Sequence, residues 1–268
     1  MDVGASAIAE VPMYKLLLDK QLAHLNAFDG DERQAEQIKI AYPQNSSVYN
    51  DFLFDGTEQT VYIASPASGM TSLLKPRSEA LEFFNGFDKF GIVERTERIV
   101  TKRLDDVHGL PSIDLLKMDV QGAELTVLQN GTQKLANCLA VQLEVSYICL
   151  YENQPTFGDV DVWMRSQGYV PHCFLDVKRW SISPTIFNGN FRFPGNQLLE
   201  SDIIYIRDPL RLEALSDIQI KKLSILSHYC FKSIDLCVFL LRELERRGAV
   251  YPNTHQQYLL DLKKGQQV

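Results

Sequence analysis

Leu115, Leu116, Met118 and Val120 make a near-continuous apolar run, which reads as a parallel strand covered on both faces. Beyond it Ala123, Val127 and Leu128 recur at helical spacing, and Gly131 is placed to end that helix in a left-handed cap. The same strand-then-helix rhythm recurs along the chain. His24 to Asp29 predicts a strand followed by a helix through about Ala41, and Leu139 to Val145 a strand followed by a helix from about Phe157 to Gln167, stopped by Gly168. Tyr169 to Phe174 and Ile203 to Arg207 predict the closing strands. Such alternation predicts an α/β fold with an open, doubly wound, mostly parallel sheet, whose ligands sit beyond the carboxyl ends of the strands.

Between these units the pattern is less regular. Only Met1-Asp2-Val3 precede Gly4, whereas a central strand needs about five or six residues. The first strand is therefore very short or begins upstream of Met1, and the second reading is preferred. Ile8, Met13, Leu16 and Leu17 predict a helix over 7–18, with Pro12 near its start or at a kink. Residues 47–54 and 59–64 predict a hairpin or consecutive strands around Asp55-Gly56. A loop from Ala64 to Pro76, a short helix from Glu79 to Asn85, β-structure over 92–102 and a short helix at Leu104 to Val107 follow. The segment from Ser181 to Gln197 is long and irregular, as functional loops are; Phe187, Phe191, Arg192 and Phe193 make it either a mobile lid or an anchored surface loop. After Pro209 the pattern is helical only. Ile218, Leu223, Leu226, Tyr229, Phe231, Leu236, Phe239, Leu240 and Leu244 predict one or two amphipathic helices, so the division expected is 1–208 and 209–268.

Charge and cysteine usage narrow the function classes. With 27 Lys and Arg against 34 Asp and Glu, the formal charge of −7 argues against a nucleic-acid partner. No run approaches the roughly 18 apolar residues of a membrane span, and no secretory signal opens the chain. A soluble cytoplasmic protein is expected. Cys138, Cys149, Cys173, Cys230 and Cys237 form no Cys-x-x-Cys pair, which predicts buried free thiols and neither disulfides nor structural zinc. Cys230 and Cys237 are expected on one helix face. The histidines form no metal-ligand cluster.

The predicted strand ends carry the candidate chemistry. Gly4 lets backbone approach a ligand, but the remaining glycines of a G-x-G-x-x-G turn are absent, which counts against a dinucleotide. Asp29 follows Gly4 at about the spacing from which an acid grips ribose hydroxyls. By analogous position, Asp51 and Phe52 border an adenine or belong to an ordinary half-buried strand. Asp119 either orients an acceptor and takes its proton or caps the following helix. Glu124, in the first helical turn, reads as structural. Glu144 is a charge late in an apolar strand, hence a base, an acceptor-binding group or a buried hydrogen-bonding residue. His172 is a substrate contact or, more simply, a satisfied histidine.

Lys117-Met118-Asp119-Val120-Gln121-Gly122-Ala123-Glu124 resembles the K-x-D-x-E/Q-G-x-E signature of the FkbM family of methyltransferases. Asp2-Val3-Gly4-Ala5-Ser6 resembles the family's opening D-V-G-A-N, and Phe28-Asp29 its F-E at the end of the second strand. Gly69-Met70-Thr71-Ser72-Leu73-Leu74 and Asn196-Gln197-Leu198-Leu199 resemble stretches of one branch, so the likeness spans most of 1–208. It implies a Rossmann-like, seven-stranded methyltransferase sheet with a C-terminal helical extension, and S-adenosylmethionine as cofactor, held by Asp2, Gly4, Ala5, Asp29, Asp51 and Phe52. With the strand-end readings above, the candidates become Asp119 and Glu144 as catalytic residues, and Met70, Thr71, Ser72, Gln121 and His172 on the acceptor side. The acceptor expected is a hydroxyl of a sugar, glycan or small metabolite. Two rivals stand beside this reading: a non-catalytic relative acting as a binding module, and a nucleotide-dependent oxidoreductase. The apolar stripes of the C-terminal helices suggest packing on the sheet domain together with a homodimer.

Overall fold

A computed structural model of the protein describes residues 1–4, 11–30, 32–65 and 68–265. Its strands are β1 (Asp2–Val3), β2 (Leu25–Phe28), β3 (Ser46–Tyr49), β4 (Glu58–Ala64), β5 (Val93–Val100), β6 (Leu115–Met118), β7 (Ala140–Ser146), β8 (Tyr169–Trp180) and β9 (Gln197–Arg207). Its helices are α1 (Lys15–Asp19), α2 (Glu32–Ala41), α3 (Ser78–Phe83), α4 (Phe87–Phe90), α5 (Glu124–Gln129), α6 (Phe157–Ser166), α7 (Asp217–Tyr229), α8 (Ile234–Arg246) and α9 (Thr254–Gly265). Among the described residues a seven-stranded sheet runs in the order β3-β2-β1-β6-β7-β9-β8; β2, β1, β6 and β7 are parallel, and β9 is antiparallel to its neighbours β7 and β8. The fold is the expected mostly parallel α/β sheet. Its order turns back at β1, the kind of switch point beside which ligands bind.

β1 has two residues, yet both neighbours pair with it: Asp2 opposes Ala27 and Lys117, and Val3 opposes Phe28 and Met118. Alternation assigns the faces. Val3, Met118, Leu143 and Ile203 join Val127 and Leu128 of α5 and Val160 and Met164 of α6 in one buried core. Burying that many aliphatic side chains, at about 25 cal/mol per Å², is what holds the sheet to these helices.

Several expectations are corrected. Residues on either side of Asp55-Gly56 form the consecutive strands of the one expected alternative and do not pair as the hairpin of the other. β3 lies on the edge of the main sheet, where Tyr49 stacks on Phe28 with centroids 4.5 Å apart, while β4 pairs with β5 in a separate antiparallel ribbon. Asp55 makes the turn itself, Oδ1 accepting from the Thr57 amide at 2.9 Å and hydroxyl at 2.7 Å. Gly131 is not a left-handed cap. Asn130 closes α5 with φ −95°, and a Cβ on Gly131 would fall 2.5 Å from Leu104 Cδ2. The expected helix over 7–18 is described only as α1, since residues 5–10 lie outside the described residues. β8 and β9 continue past the expected strand ends. Cys230 follows α7 and Cys237 lies within α8, so the two buried thiols sit on different helices.

The chain separates into two compact units, Met1–Ala7 with Asn26–Arg207, and Ile8–Leu25 with Asp208–Val268. The first holds a second core above the carboxyl edge of the sheet, where Phe84, Phe87, Trp180, Leu199 and Tyr151 meet Met70. In the second, Ile220 and Leu223 of α7 and Leu240 and Leu244 of α8 are fully buried. Ser216 and Gln219 form a capping box at the start of α7, satisfying orphan amides reciprocally. The apolar positions from Ile218 to Leu244 fall on two helices, α7 and α8, within the expected one or two, and α9 follows them among the described residues. No helix among the described residues is long and apolar enough to cross a membrane.

Candidate active site at the carboxyl edge of the sheet

The ends of β2, β1 and β6 converge because Gly4 has no side chain. Its φ is +74°, and a Cβ there would fall 1.9 Å from the Asp119 carbonyl oxygen. The Gly4 amide donates to the Phe28 carbonyl at 2.9 Å and the Asp119 amide to the Val3 carbonyl at 3.0 Å. The Gly4 N–H is thus spent within the sheet, and what the residue contributes is room. Asp29, Gly4 and Asp119 end three adjacent strands in a row. Asp29 is positioned by its amide, which donates to the Tyr49 carbonyl at 3.2 Å. Next to it Gly30 receives the Phe52 ring so closely that a Cβ would lie 2.0 Å from Phe52 Cζ. Asp51 accepts from Lys102 Nζ through both oxygens at 2.9 Å. Asp2 is buried, with Lys117 Nζ 3.5 Å away. Burial works against the Lys117 ammonium, but Asp2 and Asp119 outweigh it and hold its pKa above the ordinary value. Ala5 lies outside the described residues.

The turn from Asp119 into α5 is built from two consecutive left-handed residues, Gln121 with φ 54° and Gly122 with φ 98°. Glu124 clasps it from below, Oε1 accepting from the Val120 amide at 3.0 Å and the Gly122 amide at 3.3 Å. Burial pushes the Glu124 carboxyl up to about 7. Its prominence in the sequence is structural. The Gln121 carbonyl accepts from Ser72 Oγ at 2.7 Å, which ties the turn to the segment after β4.

The Gln121 side chain then joins two carboxylates. Its Nε2 donates to Asp119 Oδ1 at 2.9 Å and to Glu144 Oε2 at 3.2 Å, while its Oε1 accepts from the Tyr151 hydroxyl at 2.9 Å. Glu144 Oε1 accepts from Lys178 Nζ at 2.9 Å, and Lys178 also reaches Glu200 Oε1 at 2.7 Å. Burial raises the Glu144 pKa well above the carboxylate range, Asp119 and Glu200 raise it further, and Lys178 opposes them. Asp202, opposite Glu144 across β9, is raised by burial although it accepts from Gln142 Nε2 at 3.3 Å. The edge is therefore rich in carboxylates, with Lys117 and Lys178 as its cations.

Of the residues singled out in the sequence, Asp119, Gln121, Glu144 and Ser72 come together here. Thr71 is exposed, and its hydroxyl accepts from the Ala64 amide at 3.2 Å. Met70 is buried in the aromatic core. His172 sits at a bulge of β8, the far edge strand, beside Tyr205 and Ile204. The segment after β8 is anchored: Phe191 packs on Trp180 and Phe90, and the Arg192 guanidinium lies 4.6 Å over the Trp180 ring. Sequence reading missed Tyr151, Lys178 and Glu200. Lys178 and Glu200 fell beyond the expected ends of β8 and β9; the alternation of Leu199, Ser201 and Ile203 as inward residues was the available signal. A cavity of about 160 Å³ lies at the opposite end of the strands, between Leu128, Val141, Trp163, Tyr169 and Arg207. There Arg207 is committed to the carbonyls of Leu135, Ala136, Cys138 and Gln167, and none of the candidate residues lines it. Among the described residues no group of His, Cys, Asp and Glu side chains could hold a metal ion.

Comparison with known proteins places this geometry in context. Residues 17–171 match the methyltransferase FkbM domain. Over 59 residues the chain is 46% identical to the 2-O-methyltransferase NoeI of Sinorhizobium fredii; the match covers 21% of this chain and spans 24% of that protein's length. Among solved structures, Streptococcus pneumoniae Sp1610 in complex with S-adenosyl-L-methionine aligns over 91% of this chain and 87% of its own, with 10% identity and a TM-score of 0.38. A second structure of Sp1610 aligns over 99% and 88%, with 10% identity and a TM-score of 0.35.

Proposed function

The chain belongs to the FkbM methyltransferase family, and from that premise we propose that it transfers a methyl group from S-adenosylmethionine to a hydroxyl oxygen of a sugar, glycan or small metabolite. The observation that carries the reading is the Asp119–Gln121–Glu144 network at the ends of β6 and β7. The cofactor, when bound, supplies a methyl group on a positively charged sulfonium, which suits an edge rich in carboxylates. In this reading Asp29 takes ribose hydroxyls, supported by its position at the end of β2 with the side-chain-free Gly4 between it and Asp119. Phe52, against Gly30, is the candidate adenine neighbour. Displacement at a methyl group needs alignment of donor and acceptor more than covalent help, and a hydroxyl acceptor also needs a base for its proton.

Asp119 is that base in this reading. One of its oxygens is held by Gln121; among the described residues Oδ2 accepts no hydrogen bond and is left for the acceptor hydroxyl. Glu144, held by Gln121 and Lys178, orients the acceptor from the neighbouring strand. The NoeI match supports oxygen as the atom methylated. Incubation with isotope-labelled S-adenosylmethionine and a panel of neutral saccharides, read by mass spectrometry, tests it. Asp119→Asn should lower turnover by about two to four orders of magnitude, with calorimetric affinity for S-adenosylhomocysteine nearly unchanged. Unaltered turnover would return Asp119 to a capping role. Binding of that ligand with no transfer to any acceptor would favour the non-catalytic relative.

For the helical unit the partner we propose is a second copy of the chain. Ile218, Ile225, Phe239 and Leu260 leave apolar surface exposed on α7, α8 and α9. Light scattering that returns a monomer mass removes this partner.

A further inference from the structure

The segment between β7 and α6 carries a residue that the family signature does not contain. Tyr151 is 1% exposed and packed with Phe84 and Met70, and its hydroxyl meets the Gln121 amide oxygen. Gln154 holds the segment in place: its Oε1 accepts from the Leu150 amide at 2.7 Å and the Tyr151 amide at 3.2 Å, and its Nε2 donates to Ser146 Oγ at 2.7 Å. The Gln154 side chain also fills the space a Cβ on Gly122 would need, with atoms at 3.0 to 3.1 Å from it. The segment and the Asp119–Glu124 turn are thus fitted to each other.

An amide has one end that donates and one that accepts. Asp119, and Glu144 when ionised against Lys178, require the donating end, since a carbonyl oxygen facing two carboxylates is repelled by them. The accepting end then needs a donor of its own. Tyr151 supplies it, and burial raises its phenol pKa far above the working range, so the hydroxyl keeps its proton. Ser72 holds only the backbone of Gln121 and places no constraint on the end of the side chain.

We propose that Tyr151 is a positioning residue, whose hydroxyl tethers the Gln121 amide so that one NH₂ group spans Asp119 and Glu144 and leaves Asp119 Oδ2 directed at the acceptor. Its catalytic meaning rests on the methyl-transfer reading above; the tether itself does not. Glu144 reports on it directly. The groups facing Glu144 are Asp119 from the end of β6, Lys178 from β8, Glu200 and Asp202 from β9, and Tyr151. Of these the substitution Tyr151→Phe removes only a neutral hydroxyl.

The test is a titration of the Glu144 carboxyl by NMR, with isotope-labelled glutamate in the full chain. Wild type, Tyr151→Phe, Gln121→Ala and the double variant are compared. Loss of a donor to a carboxylate moves its midpoint upward by about one pH unit. Tyr151→Phe should raise the midpoint by about half to one unit, and Gln121→Ala by at least as much. The double variant should shift no further than Gln121→Ala alone, because Tyr151 acts through Gln121. An unchanged midpoint in Tyr151→Phe, or a double shift equal to the sum of the singles, overturns the tether. Should Tyr151→Phe lose its fold, Gln154→Met frees the segment without touching the ring and must move the midpoint in the same direction; no movement has the same overturning force. Calorimetry of the wild type with S-adenosylhomocysteine runs in parallel. Failure to bind strikes the methyl-transfer reading and leaves the tether standing.

Discussion

Glu124 shows how a buried acid serves a site without joining its chemistry. Its pKa rises from 4.5 to about 7 because burial penalises the carboxylate. The folded chain therefore holds the proton more tightly than the unfolded one, and stability falls as pH rises through about 4.5 to 7 and is level above. The span is worth roughly 3 kcal/mol. Glu124→Gln keeps an oxygen for the Val120 and Gly122 amides and should flatten that slope, as urea unfolding at pH 5 and pH 8 would reveal. Glu124→Ala leaves both amides without an acceptor and should cost about 1–3 kcal/mol at pH 5, and less at pH 8, where the wild type has itself lost most of that span. Asp119 and Glu144 were legible because a charge at the end of an apolar strand has few places to go but an open edge. Tyr151 was not. Nothing local distinguishes a tyrosine that fills a core from one whose hydroxyl reaches a distant glutamine.

Elements were legible in kind and less so in extent. Apolar period two marks where β8 and β9 cross the core, but toward the carboxyl end of β7 they carry Asp176, Lys178, Glu200 and Asp202, so the apolar signal stops before the strands do. Lys178 and Glu200 pair with each other at that level, where Glu200 still opposes Ser146 at the end of β7. Gly131 illustrates the same limit: a glycine after a helix suggests a left-handed cap, whereas here it makes room for Leu104, which is fully buried. Gly131→Ala should therefore destabilise by about 1–3 kcal/mol through overpacking, with no backbone penalty. In a Leu104→Ala background the same change should cost much less, and equal costs in the two backgrounds, measured by urea midpoints, would return Gly131 to a conformational role.

At the scale of the whole molecule, residues 8–25 belong to the compact unit formed with 208–268, so the boundary expected after residue 208 does not separate two independent pieces of chain. A chain ending at Arg207 deprives 8–25 of the rest of its unit. It should show a lower urea midpoint than the full chain, together with more lost helicity than the removed helices account for by circular dichroism. Periodicity and strand-end chemistry in the sequence alone determined the α/β class, the parallel core strands and the pairing of Asp119 with Glu144 as candidates, and the likeness of residues 117–124 to a known signature pointed to the family, because each depends on local pattern. Tertiary structure decided the separate ribbon of β4 and β5, the room made by Gly4 and Gly131, and the bridge from Tyr151 through Gln121 to two carboxylates. Those depend on which distant backbones and side chains come within bonding distance, and no single stretch of sequence encodes a distance.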